Sequence, residues 1–215
     1  PGEPGTVSGY TRTPLLDGLS RCTACPRLAA FVAEARAAHP DWHARPVPPW
    51  GDPAARLLVV GLAPGLRGAN RTGRPFCGDQ SGAWVYGALF RAGWAASDEP
   101  GGALVGAMIT NAVKCVPPHN HPTRLEIGTC RALWLRQEVA SSPAAVVVAL
   151  GHVAFSALLA LAGVPRLPFA HGAEHRLTLG GLPRWLVASY HPSPLNTRTG
   201  RLDAAAFDGI FSRAR

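Results

Sequence analysis

The sequence predicts an α/β fold of three layers, with helices on both faces of a central, mainly parallel, four-stranded sheet. Two observations predict it. Four short apolar runs, Arg56–Leu62, Ala103–Ala112, Ala144–Leu150 and Arg184–Ser189, are near-continuous rather than alternating. That is the pattern of strands buried on both faces. Helix-like segments separate the runs, and strands alternating with helices build parallel sheets through crossover connections.

The elements follow in order. Residues 1–20 are rich in Gly, Pro and Thr and are expected to form a flexible tail, leaving one domain over residues 21–215. Pro26–Ala38 reads as a helix ahead of the first strand. Ser81–Ala92 reads as the next, with Asp79 and Ser81 as candidate caps, because a short oxygen-bearing side chain satisfies the free N–H groups of a first turn. Thr123–Ala140 opens with Thr-Arg-Leu-Glu after Pro122, a capping-box start. Gly151–Ala162 and Asp203–Arg213 complete the helices.

Composition bounds the function. The chain has 215 residues, 47% of them apolar, enough for one core and too apolar for a disordered chain. Its longest apolar runs, Pro143–Leu150 and Phe155–Val164, are too short to span a bilayer. The first residues as given carry no leader pattern. Lys and Arg number 21 against 13 Asp and Glu, a net charge of +8. Such a surface favours a polyanion, although an Arg- and Ala-rich composition gives the same sum without one.

The five cysteines do not suit a disulfide framework, since their number is odd and no secretory signal is visible. Cys22 and Cys25 form a C-x2-C pair; Cys115 and Cys130 are separated by 14 residues. Four thiolates serve both zinc and iron–sulfur sites. The wide second spacing favours a cluster and leaves zinc open. Cys77 stands apart as a small residue of a pocket wall.

Four unusual segments fall at the ends of the expected strands: Gly61–Gly65, Asn111, Gly151–His152 and His191–Asn196. In open α/β sheets, ligands bind at the carboxyl ends of the strands, so these segments are expected to share one cleft. Gly61-Leu-Ala-Pro-Gly65 has the glycines for close backbone approach and outward-facing amides. It lacks the Lys-Ser/Thr of a P-loop and the Rossmann spacing. Gly68–Gly82 combines Asn70, Arg71, Arg74, Phe76 and Asp79. Phe76 suits stacking on a flat ring, or simple core packing; Asp79 suits orienting water, stabilising a cation, or capping a helix. In His191–Arg201, Pro192 and Pro194 stiffen the loop and argue against helix. Leu195 suits a wedge in a base stack, with Arg198 and Arg201 on phosphates; a buried Leu in a basic surface loop is the alternative.

The G-L-A-P-G motif, the G-x-N-R-T-G-R-P-F-x-G-D-x-S-G stretch and the S-Y-H-P-S-x-x-N-T-x-T-G-R-L stretch, in that order and with four cysteines, resemble the type B (family 5) uracil-DNA glycosylases from Cys22 to Arg201. The resemblance implies a DNA-repair enzyme that flips uracil, and other deaminated bases, out of DNA. It hydrolyses the N-glycosidic bond and leaves an abasic site. It implies a [4Fe–4S] cluster on Cys22, Cys25, Cys115 and Cys130, and a monomer acting on DNA in the bacterial cytosol and nucleoid. It places the catalytic roles on Asp79 and His191. It assigns substrate contacts to Gly61, Ala63, Gly65, Asn70, Phe76, Asn111 and Asn120, and DNA contacts to Leu195, Asn196, Arg198 and Arg201. Leu62 stands where the type A branch has an acidic residue, so no carboxylate is expected there. Cys77 replaces an expected Thr. Asn111 is retained where some type B members have Ala.

Two rival classes remain at this stage. A nucleotide-binding transferase would need a phosphate-binding Lys or a ribose-binding acid after the second strand, and neither is clearly placed. A catalytically inactive iron–sulfur DNA-binding module of the same fold would share everything but the need for His191, Asn111, Phe76 and Asp79.

Overall fold

A computed structural model describes residues 18–215. The expected tail lies mostly outside the described residues; its last three residues join the domain, with Leu19 buried in a 3-10 turn, Leu19–Arg21. The strands are β1 (Trp50–Gly51), β2 (Leu57–Gly61), β3 (Ala107–Asn111), β4 (Val146–Leu150), β5 (Glu174–Leu179) and β6 (Leu182–Ser189). The helices are α1 (Pro26–Ala38), α2 (Ala69–Thr72), α3 (Gln80–Arg91), α4 (Arg124–Cys130), α5 (Arg136–Ser141), α6 (His152–Leu161), α7 (Pro194–Arg198) and α8 (Ala204–Arg213).

The sheet order is β1-β3-β2-β4-β6-β5. Its centre, β3-β2-β4-β6, is fully parallel and consists of the four expected strands. Two antiparallel edge strands extend it. They escaped the sequence for physical reasons. β1 has only two residues. β5 is a Glu-His-Arg-Leu-Thr-Leu segment whose side chains are mostly exposed or half-buried. It forms a hairpin with β6 through Gly180 and Gly181, both at positive φ (61° and 84°), the backbone a two-residue turn needs.

Alternation in the central strands separates the two faces. Leu57, Val59 and Ile109 pack under Val85 and Leu89 of α3 and Phe207 and Phe211 of α8. Leu58, Val60, Val147 and Ala149 pack under Val139 of α5 and Phe155 and Leu158 of α6. A third, smaller cluster joins Leu28 and Val32 of α1 to Val113, Cys115, Val116 and Cys130.

The expected helix over Thr123–Ala140 is interrupted. Between α4 and α5, residues Arg131–Leu135 wind as a π-helix, a form concentrated at functional sites. The capping box is present: Thr123 Oγ1 accepts from the Glu126 N–H, and Glu126 accepts from the Thr123 N–H. No helix of the described residues is long and apolar enough to cross a membrane.

Candidate active site and cysteine corner

The carboxyl ends of β2, β3 and β6 bring the expected residues together. Gly61 ends β2 opposite Asn111, the last residue of β3. A Cβ at Gly61 would fall 2.5 Å from Asn111 Oδ1 and 2.6 Å from the Phe76 ring. The missing side chain of Gly61 is therefore what lets the amide and the ring share one spot. Asn111 is buried, and its Oδ1 has no hydrogen-bond partner. An unpaired buried amide oxygen costs about 1–3 kcal/mol, a cost that a bound donor would remove.

Phe76 sits at φ 53°, a left-handed conformation that an aromatic residue adopts only when its surroundings impose it. Gly82 explains the fit, since a Cβ there would meet the Phe76 carbonyl oxygen. The ring joins the core and also faces His191, with centroids 5.9 Å apart. The core reading of Phe76 therefore holds, with the ring standing beside His191.

Asp79 likewise serves two purposes. Its Oδ1 accepts from the Gly82 N–H at 3.0 Å and caps α3. Its Oδ2 turns back over the glycine loop, where a Cβ at Gly68 would lie 2.5 Å from it and one at Gly65 would lie 3.3 Å away. Burial pushes the His191 pKa down, and the Asp79 carboxylate partly opposes this. The imidazole is therefore neutral at neutral pH, with one N–H to donate and one acceptor nitrogen.

The loop carrying His191 departs from expectation. Pro192 and Pro194 do not exclude helix: Pro194 occupies the first position of α7, where the absent N–H would be unpaired anyway. Ser193 caps this turn. Leu195 rides on it, 73% exposed, an apolar side chain held out to solvent. The Asn196 amide donates to the His191 carbonyl at 2.8 Å, so that side chain braces the loop from within. Arg198 is exposed, and the Arg201 guanidinium stacks 4.6 Å from the Tyr190 ring centroid.

The remaining residues expected to contact substrate are placed as follows. Ala63 packs towards the third apolar cluster, on the cysteine side. Gly65 contributes its carbonyl, which accepts from the N–H groups of Gly68 and Asn70. Asn70 is fully buried with neither polar side-chain atom partnered. Asn120 is exposed at the end of a 3-10 turn, Pro118–Asn120, at φ 59°. Cys77 donates to the Pro100 carbonyl at 3.2 Å, away from the other four thiols.

Cys22, Cys25, Cys115 and Cys130 line one small cavity with Leu28, Pro46 and Trp134. The π-helix turns Trp134 so that its Nε1 donates to Cys22 Sγ at 3.3 Å. The Lys114 backbone N–H donates to Cys130 Sγ at 3.2 Å. Arg27 binds both carboxylate oxygens of Glu126 at 2.7 and 2.8 Å, clamping the helix after Cys25 to the helix that ends in Cys130. Burial raises the Cys115 thiol to about 12 and Cys130 to about 11, each reinforced or modulated by neighbouring charged groups and thiols. The corner therefore groups four sulfurs, two of them already accepting N–H bonds, although among the described residues no three His, Cys, Asp or Glu side chains are placed to hold a metal ion. Sequence reasoning missed Trp134, Lys114 and Glu138. The one available signal was a lone Lys within the apolar Ala112–Val116 segment.

Comparison with known proteins agrees with this geometry. Residues 48–215 match the uracil DNA glycosylase superfamily. The chain is 46% identical to the type-5 uracil-DNA glycosylase of Thermus thermophilus, over 95% of this chain and 97% of that one. It is 44% identical to the type-5 enzyme of Mycobacterium leprae, over 92% and 91% respectively. A type-4 uracil-DNA glycosylase of Pyrobaculum aerophilum is 32% identical over 68% of this chain and 71% of its own. The motifs, the residues they bring together at the strand ends and these similarities agree: the chain belongs to the uracil-DNA glycosylase superfamily, in its type-5 branch.

Proposed function

We propose that the protein is a monofunctional uracil-DNA glycosylase that acts as a monomer on a flipped-out base. One observation carries the reading: the unpartnered Asn111 Oδ1, buried beside Gly61 and Phe76. Uracil presents N3–H beside the O4 carbonyl. A primary amide matches this edge, accepting from N3–H through Oδ1 and donating to O4 through Nδ2. Phe76 supplies a flat surface at the same spot.

A base inside a duplex is out of reach, so the nucleotide must leave the stack. The exposed Leu195 would fill the gap it leaves, and Arg198 and Arg201 would meet phosphates. As the glycosidic bond breaks, negative charge grows on the departing uracil and positive charge on the sugar. The neutral His191 N–H and backbone amides of Gly61–Gly65 stabilise the charge at O2, as donors in an oxyanion hole do. Asp79 Oδ2, left free by the cap, serves the sugar cation or the attacking water. The same pocket admits other deaminated bases whose edges present a comparable carbonyl, with uracil favoured by Asn111.

The cysteine corner is suited to a [4Fe–4S] cluster, held by Cys22, Cys25, Cys115 and Cys130. What supports this reading is the grouping of the four cysteines around one cavity, with Trp134 and Lys114 donating to two of the sulfurs, the kind of outer hydrogen bonding that tunes a thiolate-held centre. The cluster would supply structural cross-linking near the DNA face.

A duplex with one U·G pair tests the activity. Incubation followed by alkali is expected to break the strand at the uracil, and an intact strand would favour the inactive DNA-binding module. Aerobically purified protein is expected to be brown with about four irons per chain; stoichiometric zinc would overturn the cluster.

A further inference from the structure

Lys114 is a fully buried cation three residues beyond β3. Its Nζ donates to Thr110 Oγ1 at 2.6 Å, to the Asn111 carbonyl at 2.7 Å and to Glu138 Oε2 at 2.5 Å. Thr110 Oγ1 also donates to the same Glu138 oxygen at 2.7 Å. The backbone N–H of Lys114 donates to Cys130 Sγ, and Cys115 follows it directly in the chain. One residue therefore bonds the main chain of the base-reading Asn111 through its side chain and a thiol of the cysteine corner through its backbone.

Stability does not explain this arrangement. Desolvating two charges offsets most of their attraction, and an apolar pair of equal volume is usually no less stable. Glu138 Oε1 has no partner at all, so the cost of its burial is only partly recovered. What the pair adds is direction. Three acceptors converging on one ammonium fix the Asn111 carbonyl, and with it the backbone from which the amide projects towards Gly61 and Phe76.

We propose that Lys114, held by Glu138, is a positioning residue for uracil recognition: it ties Asn111 to Cys130, so that the cysteine corner sets where the base-reading amide stands. The inference rests on the cleft being a uracil pocket. Activity of the parent enzyme on the U·G duplex tests that reading separately.

The test uses Lys114→Met/Glu138→Leu, which removes both charges and keeps an apolar filling. A companion, Lys114→Met/Glu138→Gln, leaves an amide as partner for Thr110. Each is compared with the parent, with Asn111→Ala and with the combination, by melting temperature, duplex affinity and single-turnover uracil release. A misplacement of about 1 Å can cost a hundredfold. A loss of at least about tenfold in release is expected at unchanged duplex affinity, and it should vanish in the Asn111→Ala background. Parent-like release, or a loss that multiplies with that of Asn111→Ala, would overturn the proposal. Failure of both variants to fold would also overturn it, by showing that the pair serves folding rather than the amide.

Discussion

The cleft and the cysteine corner meet at the segment that follows β3, from Asn111 to Cys115, yet they treat polar groups in opposite ways. In the corner, most groups are paired, Glu138 Oε1 excepted. Glu126 holds Arg27 and caps α4, Trp134 and Lys114 donate to sulfurs, and the π-helix exists where that tryptophan must turn inward. In the cleft, groups are left waiting. Asn111 Oδ1 is unpartnered, Phe76 is held at positive φ, and one Asp79 oxygen is unclaimed by the cap. A paired corner gives rigidity; an unpaired cleft reserves its hydrogen bonds for a ligand. Unfinished bonding next to finished bonding distinguishes a binding site from its support better than burial does, since each region mixes buried residues such as Asn111 and Cys130 with exposed or half-buried ones such as Asp79 and Cys22.

Removing a waiting group should therefore cost function without structure. His191→Ala is the sharpest case. Losing one donor aimed at developing charge typically slows the chemical step by about a hundred- to a thousandfold. Single-turnover uracil release should fall by that factor, while duplex affinity and melting temperature stay near those of the parent. Unchanged release would remove His191 from the mechanism. A large drop in melting temperature would show that it belongs with the paired, supporting groups instead.

The legibility of the two regions in sequence differed for the same reason. The parallel strands were visible because burial on both faces leaves apolar runs such as Leu57–Val60, and Asp79 was visible as a candidate cap because a short carboxylate just before a helical segment satisfies its free first-turn N–H groups. The edge strands were not, because β5 is half-exposed and polar. The cleft residues were legible through motifs, and Phe76, Asp79, Asn111 and His191 do come together. Their division of labour was not. Asp79 both caps and faces the loop, Asn196 braces the His191 carbonyl, and Ala63 packs towards the cysteines. The corner's cysteines were legible, but the residues that orient them were hidden. Trp134 reaches Cys22 across 112 residues, and Glu138 reaches Lys114 across 24. Partnerships of that range follow from the packed fold and not from local spacing.

A smaller effect probes the boundary between the two behaviours, because Asp79 belongs to both. Asn is as good a cap as Asp, so Asp79→Asn should keep the bond from the Gly82 N–H and leave α3 intact while removing the carboxylate charge. That charge is what partly opposes the desolvation of His191. Without it, the His191 pKa should fall further below its ordinary value, as read from the pH dependence of its imidazole Cε1–H signal. The sign of the linked stability follows. A histidine with a lowered pKa in the folded state binds fewer protons than in the unfolded chain. Stability is therefore full above about pH 6.5, declines as pH falls from there to the folded pKa, and then levels off. In Asp79→Asn the decline should extend to lower pH than in the parent. An unchanged or raised His191 pKa would mean that the Asp79 carboxylate does not act on the imidazole, leaving it with the cap alone.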